Sequence, residues 1–105
     1  MEKSGLQIME AVAADPKHYT VELENDRVRV IRVRLGPREK SPMHSHGDGV
    51  AVFLTNQRAR FTFPDGHSEE MTANAGEAKW MPAFTHEPEN LTDEPFELML
   101  IEIKK

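Results

Sequence analysis

The chain has no cysteine. That absence removes disulfides, thiolate metal sites and thiol nucleophiles together. No apolar run is long enough for a bilayer-spanning helix or a secretory leader, the N-terminal stretch MEKSGLQIMEAVAADP included. The expectation is therefore a cytoplasmic protein with no membrane partner. Positive charge is in deficit: 13 Lys and Arg against 18 Asp and Glu give a net charge of −5. A phosphate backbone seeks the opposite balance, so nucleic acid is not expected as a partner. There is no internal repeat, no low-complexity tract, no Ser-His-Asp order and no Gly-rich phosphate loop.

What is present fits one folded domain. A length of 105 residues supports a single core, and a thin one, because a small domain buries a smaller share of its surface. Pairing of two copies as a homodimer would add burial and is expected. Residues 1–17 read as an N-terminal arm in which 6–14 (LQIMEAVAA) can form a short helix ended by Asp15-Pro16. Residues 18–105 read as the β domain. HYTVELEN (18–25) alternates, with Tyr19, Val21 and Leu23 on one face. RVRVIRVRL (27–35) alternates too, but its apolar phase slips between Val30 and Ile31, as a β-bulge would make it. Further strands are read at 50–56, 58–63, 67–72, 77–82 and in FELMLIEI (96–103), with Ala78 and Trp80 as an inward pair. Pro64-Asp65-Gly66 and ANAG supply turns. Short strands at this spacing imply an all-β sandwich or barrel.

The chemistry sits in the histidines. His44 and His46, in SPMHSHGDGVAVFL, are two apart, so on a strand both imidazoles leave the same face. Zinc, iron, manganese, nickel and copper all accept imidazole nitrogen at about 2.0–2.2 Å. Two ligands do not close a site, and His86, in WMPAFTHEPEN, is the best third. The competing reading is three incidental polar histidines. Asp48 shares parity with the pair and is a possible extra ligand, although its place between Gly47 and Gly49 suits a turn cap. His18 and His67 read as surface or turn residues. Arg27, Arg29, Arg32 and Arg34 read as a solvated face paired with Glu22 and Glu24.

The order of these features resembles a small single-domain cupin over about residues 19–103. Gly36, His44, His46 and the strand from Val50 match the first cupin motif, and Gly76, Pro82, His86 and Asn90 match the second. The stretch from Asp15 to Thr55 is similar to the small bacterial cupins named for β-alanine degradation. The resemblance implies a double-stranded β-helix, or jelly-roll, barrel and a divalent metal held by His44, His46 and His86. The carboxylate ligand of the motif falls on Val50, its closing glycine on Gln57, and Phe84 stands where the second motif has glycine.

Three histidines without a carboxylate would leave an ion its full charge and an open position. Strand parity puts Val52 and Leu54 on the floor of a pocket, with Val50 beside it, Phe61, Phe63 and Trp80 as walls and Phe84 at the mouth. Gln57, Met81 and Thr85 are further residues within reach of a substrate. Such a pocket suits a small organic ligand. Two functions stay open: a metal-dependent, dioxygenase-like enzyme, or a non-catalytic small-molecule-binding or structural dimer with a vestigial site.

Overall fold

The computed structural model describes residues 9–104. Nine strands follow one short helix: α1 (Ala11–Ala14), β1 (Tyr19–Glu24), β2 (Val28–Leu35), β3 (His44–His46), β4 (Gly49–Phe53), β5 (Gln57–Thr62), β6 (Ser68–Ala73), β7 (Ala78–Met81), β8 (Phe84–Asn90) and β9 (Phe96–Ile103). They form two antiparallel sheets, ordered β1-β2-β9-β4-β7 and β3-β8-β5-β6. The result is a jelly-roll barrel whose core lies between the inner faces. Ile31, Val33, Leu35, Ala51, Phe53 and Leu100 fill it from the larger sheet.

Of the helix expected over 6–14, Ala11–Ala14 is helical, and residues 6–8 lie outside those described. Met9 and Glu10 are extended because they pair with β3: the Ser45 N–H donates to the Met9 carbonyl at 3.0 Å. The Glu10 carboxylate then caps the helix, accepting from the Val12 and Ala13 amides. The arm thus ends against the strand that carries two histidines.

The phase slip in the second strand has a different origin from the one the sequence suggests. β2 pairs with β9 without interruption from Val28↔Ile103 to Leu35↔Phe96. The bulge lies in β1, between Val21 and Leu23. It turns Leu23 outward, away from the face of Tyr19 and Val21, and leaves it 52% exposed. β2 changes phase because both its faces are apolar: Ile31, Val33 and Leu35 point in, whereas Val28 and Val30 point out. The arginines split for the same reason. Arg29 is on the inner side at the rim, bonded to Glu10 at 3.0 Å, while Arg32, outside, bonds Glu22 at 3.2 Å and Glu97 at 2.7 Å.

The outer face of the larger sheet carries an unbroken apolar row. Register places Leu23 beside Val30, Val30 beside Ile101, Ile101 beside Val50 and Val50 beside Trp80. Met99 and Val52 lie in the next row. Trp80 is 59% exposed. An antiparallel sheet with one free face normally turns polar residues outward, as Arg32, Glu22 and Glu97 are here, and this row departs from that.

Candidate metal centre

β3 and β8 pair antiparallel with His44 directly opposite His86 and His46 opposite Phe84. Directly opposed residues share a face, so this register alone gathers three imidazoles on the inner side of the smaller sheet. Their ring centroids lie 4.7 Å (His44–His46), 4.9 Å (His44–His86) and 5.1 Å (His46–His86) apart. One nitrogen from each falls within 4.8 Å of the others. An ion held at about 2.0–2.2 Å needs those nitrogens about 3–3.5 Å apart, a closure that small ring rotations provide. All three residues are buried.

The hydrogen bonds set which nitrogen faces inward. His44 Nδ1–H donates to the Pro42 carbonyl at 2.8 Å, with Ser41 Oγ at 3.3 Å, and its Nε2 has no partner. His46 Nδ1 meets the Glu102 carboxylate at 3.2 Å. His86 has no partner at either nitrogen. Buried polar atoms are nearly always paired, so unpartnered nitrogens converging on one point call for an occupant. Oriented imidazoles with their far N–H bound to a carbonyl or carboxylate are the usual metal-ligand arrangement. Burial, reinforced by the neighbouring His46, lowers the His44 imidazole to about 4 and, with His44 as well, His86 to about 2. Both rings are neutral at pH 7, with lone pairs available without loss of a proton. The donor set fits a divalent ion.

Glu102 escaped the reading of the sequence. It follows Phe96, Leu98 and Leu100 on the inner face of β9, and an acid at the end of an apolar face is the signal that marks it. Its carboxylate stands one ring away from the centre, and among the described residues no carboxylate joins the three histidines. Asp48 does not join them either: its Oδ1 accepts from the Ala83 N–H at 2.7 Å, tying the β3–β4 turn to the β7–β8 turn.

Behind His44 a polar chain runs to the surface. Ser41 Oγ–H donates to Asp15, Asp15 meets His18 Nδ1 at 2.7 Å, and His18 Nε2 meets Glu39 at 2.9 Å. His18 is therefore buried, against the expectation of a surface residue, because two carboxylates satisfy its two nitrogens. Hydrogen bonds to the Gly36 amide and His18 hold the Glu39 carboxyl at about 2. His67 does sit in a turn, beside Asp65 and stacked on Phe63.

Next to the histidines is a narrow cavity of about 40 Å³. That holds a few waters at roughly 10–15 Å³ each. His46, His86, Phe61, Phe84, Met81 and Gln57 are among its walls. It adjoins an open recess of about 350 Å³ at Phe63, Glu69 and Pro82, and the two share Phe61, Met71, Met81 and Phe84. Four expected pocket residues are elsewhere. Val50, Val52 and Trp80 face outward, and Leu54 is exposed beyond β4. The chain crosses between sheets at Gly47-Asp48, which shifts the inward parity to Gly49, Ala51 and Phe53. Ala78 turns out with Trp80, while Lys79 and Met81 turn in. Thr85 is on the outer side of β8.

No protein-family model matches the chain. A gentisate 1,2-dioxygenase from a Streptomyces species is 37% identical over 62 residues, 58% of this chain but only 17% of the length of that protein. A cupin domain from Bordetella pertussis Tohama I superposes with a TM-score of 0.77 at 28% identity, over 96% of this chain and 100% of its own. A cupin superfamily protein from Desulfitobacterium hafniense gives 0.60 at 15% identity, over 100% and 84%. An oxalate decarboxylase from Bacillus subtilis, described for its Mn(II) centres, gives 0.59 at 23% identity over 75% of this chain and 22% of its own. The fold is the cupin jelly roll.

Proposed function

We propose that the chain is a cytoplasmic metal-dependent enzyme, dioxygenase-like, that acts on a small organic substrate, with His44, His46 and His86 as its metal ligands. One observation carries the reading: one nitrogen from each of three buried histidines falls within 4.8 Å of the others, and neither His44 Nε2 nor either nitrogen of His86 has a partner within the protein. Zinc, iron, manganese, nickel and copper all suit imidazole donors. Such an ion, when bound, supplies a Lewis-acid centre with an open position for substrate or dioxygen. The chain does the rest. The Pro42 carbonyl fixes the tautomer of His44, Glu102 orients His46, and Phe61 and Phe84 exclude water and receive the apolar body of a substrate. The likeness to a gentisate dioxygenase and to an oxalate decarboxylase supports an enzyme over a binding module. Similarity to cupins named for β-alanine degradation adds no chemistry to this.

Elemental analysis of protein purified without a His-tag tests it. One divalent ion per chain, lost in His44→Ala together with turnover, is the expected result. Unchanged metal content and turnover in that variant overturn the reading and leave a non-catalytic binding or structural dimer.

The protein is also read as a homodimer, through the apolar row from Leu23 to Trp80. Five strands about 4.8 Å apart and four outward rows about 6.7 Å apart span roughly 600 Å² in plan. The accessible area of such a side-chain-studded face approaches the roughly 800 Å² per partner of a stable interface. A two-fold axis sets the row against its own copy.

A further inference from the structure

We infer that Gln57 is the far-end recognition group of the cavity, and that the ligand is short and narrow, with a metal-binding end, an apolar middle and an uncharged hydrogen-bond donor, a hydroxyl, at the other end. Only the metal-binding end rests on the function proposed above.

Gln57 opens β5 and shares its inner face with Ala59 and Phe61. It is 7% exposed, its Oε1 has no hydrogen-bond partner, and it lines the same cavity as His46 and His86. The ring of Phe61 lies 4.3 Å from that of His86. Gln57 is four strand residues further on, about 13 Å along β5. The cavity therefore carries polar atoms at two separated places with hydrocarbon between them.

A nearby amide shows what a structural one does. Asn90 pairs across β5 with Ala59 and is fully buried on the same inner face. Its Nδ2 donates to the carbonyls of Leu35, Gly36 and Glu94, and its Oδ1 accepts from the Thr92 amide and hydroxyl. Asn90 spends its capacity on holding loops together. The Gln57 oxygen spends nothing, although burying it unpaired destabilises the fold. An apolar residue there would join a lining that already includes Phe53 and Phe96. An inward acceptor retained at such a cost fits a donor that arrives with the ligand. No Asp, Glu, Lys or Arg lines the cavity, so an ammonium or carboxylate at that end would be desolvated without a countercharge. A hydroxyl meets the amide without that penalty.

The test has two arms. In the first, the thermal midpoint of metal-free protein is compared with that of Gln57→Leu, and of Gln57→Met should leucine fit the wall poorly. The expected result is a rise of roughly 4–8 °C in at least one, since each kcal/mol recovered moves a small domain by about that much. A fall in both marks Gln57 as structural and overturns the inference, whatever the metal does. In the second, zinc-loaded protein is titrated calorimetrically with ω-hydroxyalkanoates and with alkanoates of equal chain length. The expected result is a preference of about tenfold for the hydroxyl form at one length, erased by Gln57→Leu while the plain alkanoate binds as before. No preference at any length, or one that survives the substitution, overturns it.

Discussion

Acidification from pH 7 to pH 5 should destabilise this protein through two imidazoles. Burial holds His44 at about 4 and His86 at about 2 in the fold, whereas each titrates near 6.5 in the unfolded chain. Both folded values lie below the unfolded one. The stability these groups contribute is therefore complete above about pH 6.5 and is lost as pH falls through the window towards 4, where the unfolded chain takes up two protons that the fold refuses. Each proton is worth about 1.4 kcal/mol per pH unit, and integration from pH 7 to 5 gives about 2 kcal/mol per histidine, or about 4 together. A small domain holds about 5–15 kcal/mol in all, so the loss is large. Urea unfolding of metal-free protein reads it as a drop in midpoint of roughly 1–4 M, for a slope of about 1–3 kcal/mol per molar. His86→Leu isolates one contribution: between pH 6 and 5 its stability should fall by about 1.2 kcal/mol less than that of wild type. Equal slopes in the two proteins would refute a buried, neutral His86.

Glu102→Ala removes the acceptor that orients His46 and should weaken zinc binding about 10–100-fold in competition with a fluorescent chelator; unchanged affinity would remove Glu102 from the site. Val50→Lys places a charge in the middle of the outer row and should convert a sedimenting dimer into a monomer with the same far-UV spectrum. Trp80 is the single tryptophan, so its emission should shift to the red in that variant, and a wild-type monomer at about 100 µM would dismiss the interface. Gly49→Ala drives a Cβ onto the Ile101 carbonyl oxygen and within 3.0 Å of the Glu102 Cα; backbone on both sides cannot yield cheaply, and a loss of about 3 kcal/mol or more is expected in urea, with an unchanged midpoint as the contrary result.

The strands that alternate or run apolar between turn residues could be read from the sequence, and FELMLIEI occupies β9 over the span its pattern suggests. β8 could not. Its inward positions are Phe84, His86, Pro88 and Asn90, so hydrophobic periodicity is missing from the face that should show it, and Pro88 argues against a ladder. The proline is tolerated because its carbonyl still accepts, from the Ser41 N–H at 3.0 Å. The three histidines were legible as residues, but their meeting was not. It depends on the register of β3 against β8, which joins segments about forty residues apart and leaves no local trace. Parity failed across Gly47-Asp48 because a strand pattern persists only while the chain stays in one sheet. That single crossing moved Val50, Val52 and Leu54 from pocket to surface, and Trp80 followed through its pairing with Val50.

In a barrel this small a site leaves its mark on the inner faces. Inward positions are worth most when apolar, so each polar residue on an inner face forfeits burial energy and must be satisfied by something. Asn90 and Ser41 are satisfied within the chain, by loop carbonyls and by Asp15. Glu102 is satisfied by His46, and His46 in turn has one nitrogen left for the centre. Among the described residues, the buried side-chain atoms left unsatisfied are His44 Nε2, both nitrogens of His86, the Gln57 oxygen and, at the rim, Arg29 Nε. Polar atoms left over from folding would be scattered if they were accidents of packing. Here, Arg29 Nε aside, they belong to the three-histidine group and to Gln57, which lines the same cavity as His46 and His86; a bound ion would take the histidine nitrogens that face it, and a donor on a ligand would take the Gln57 oxygen.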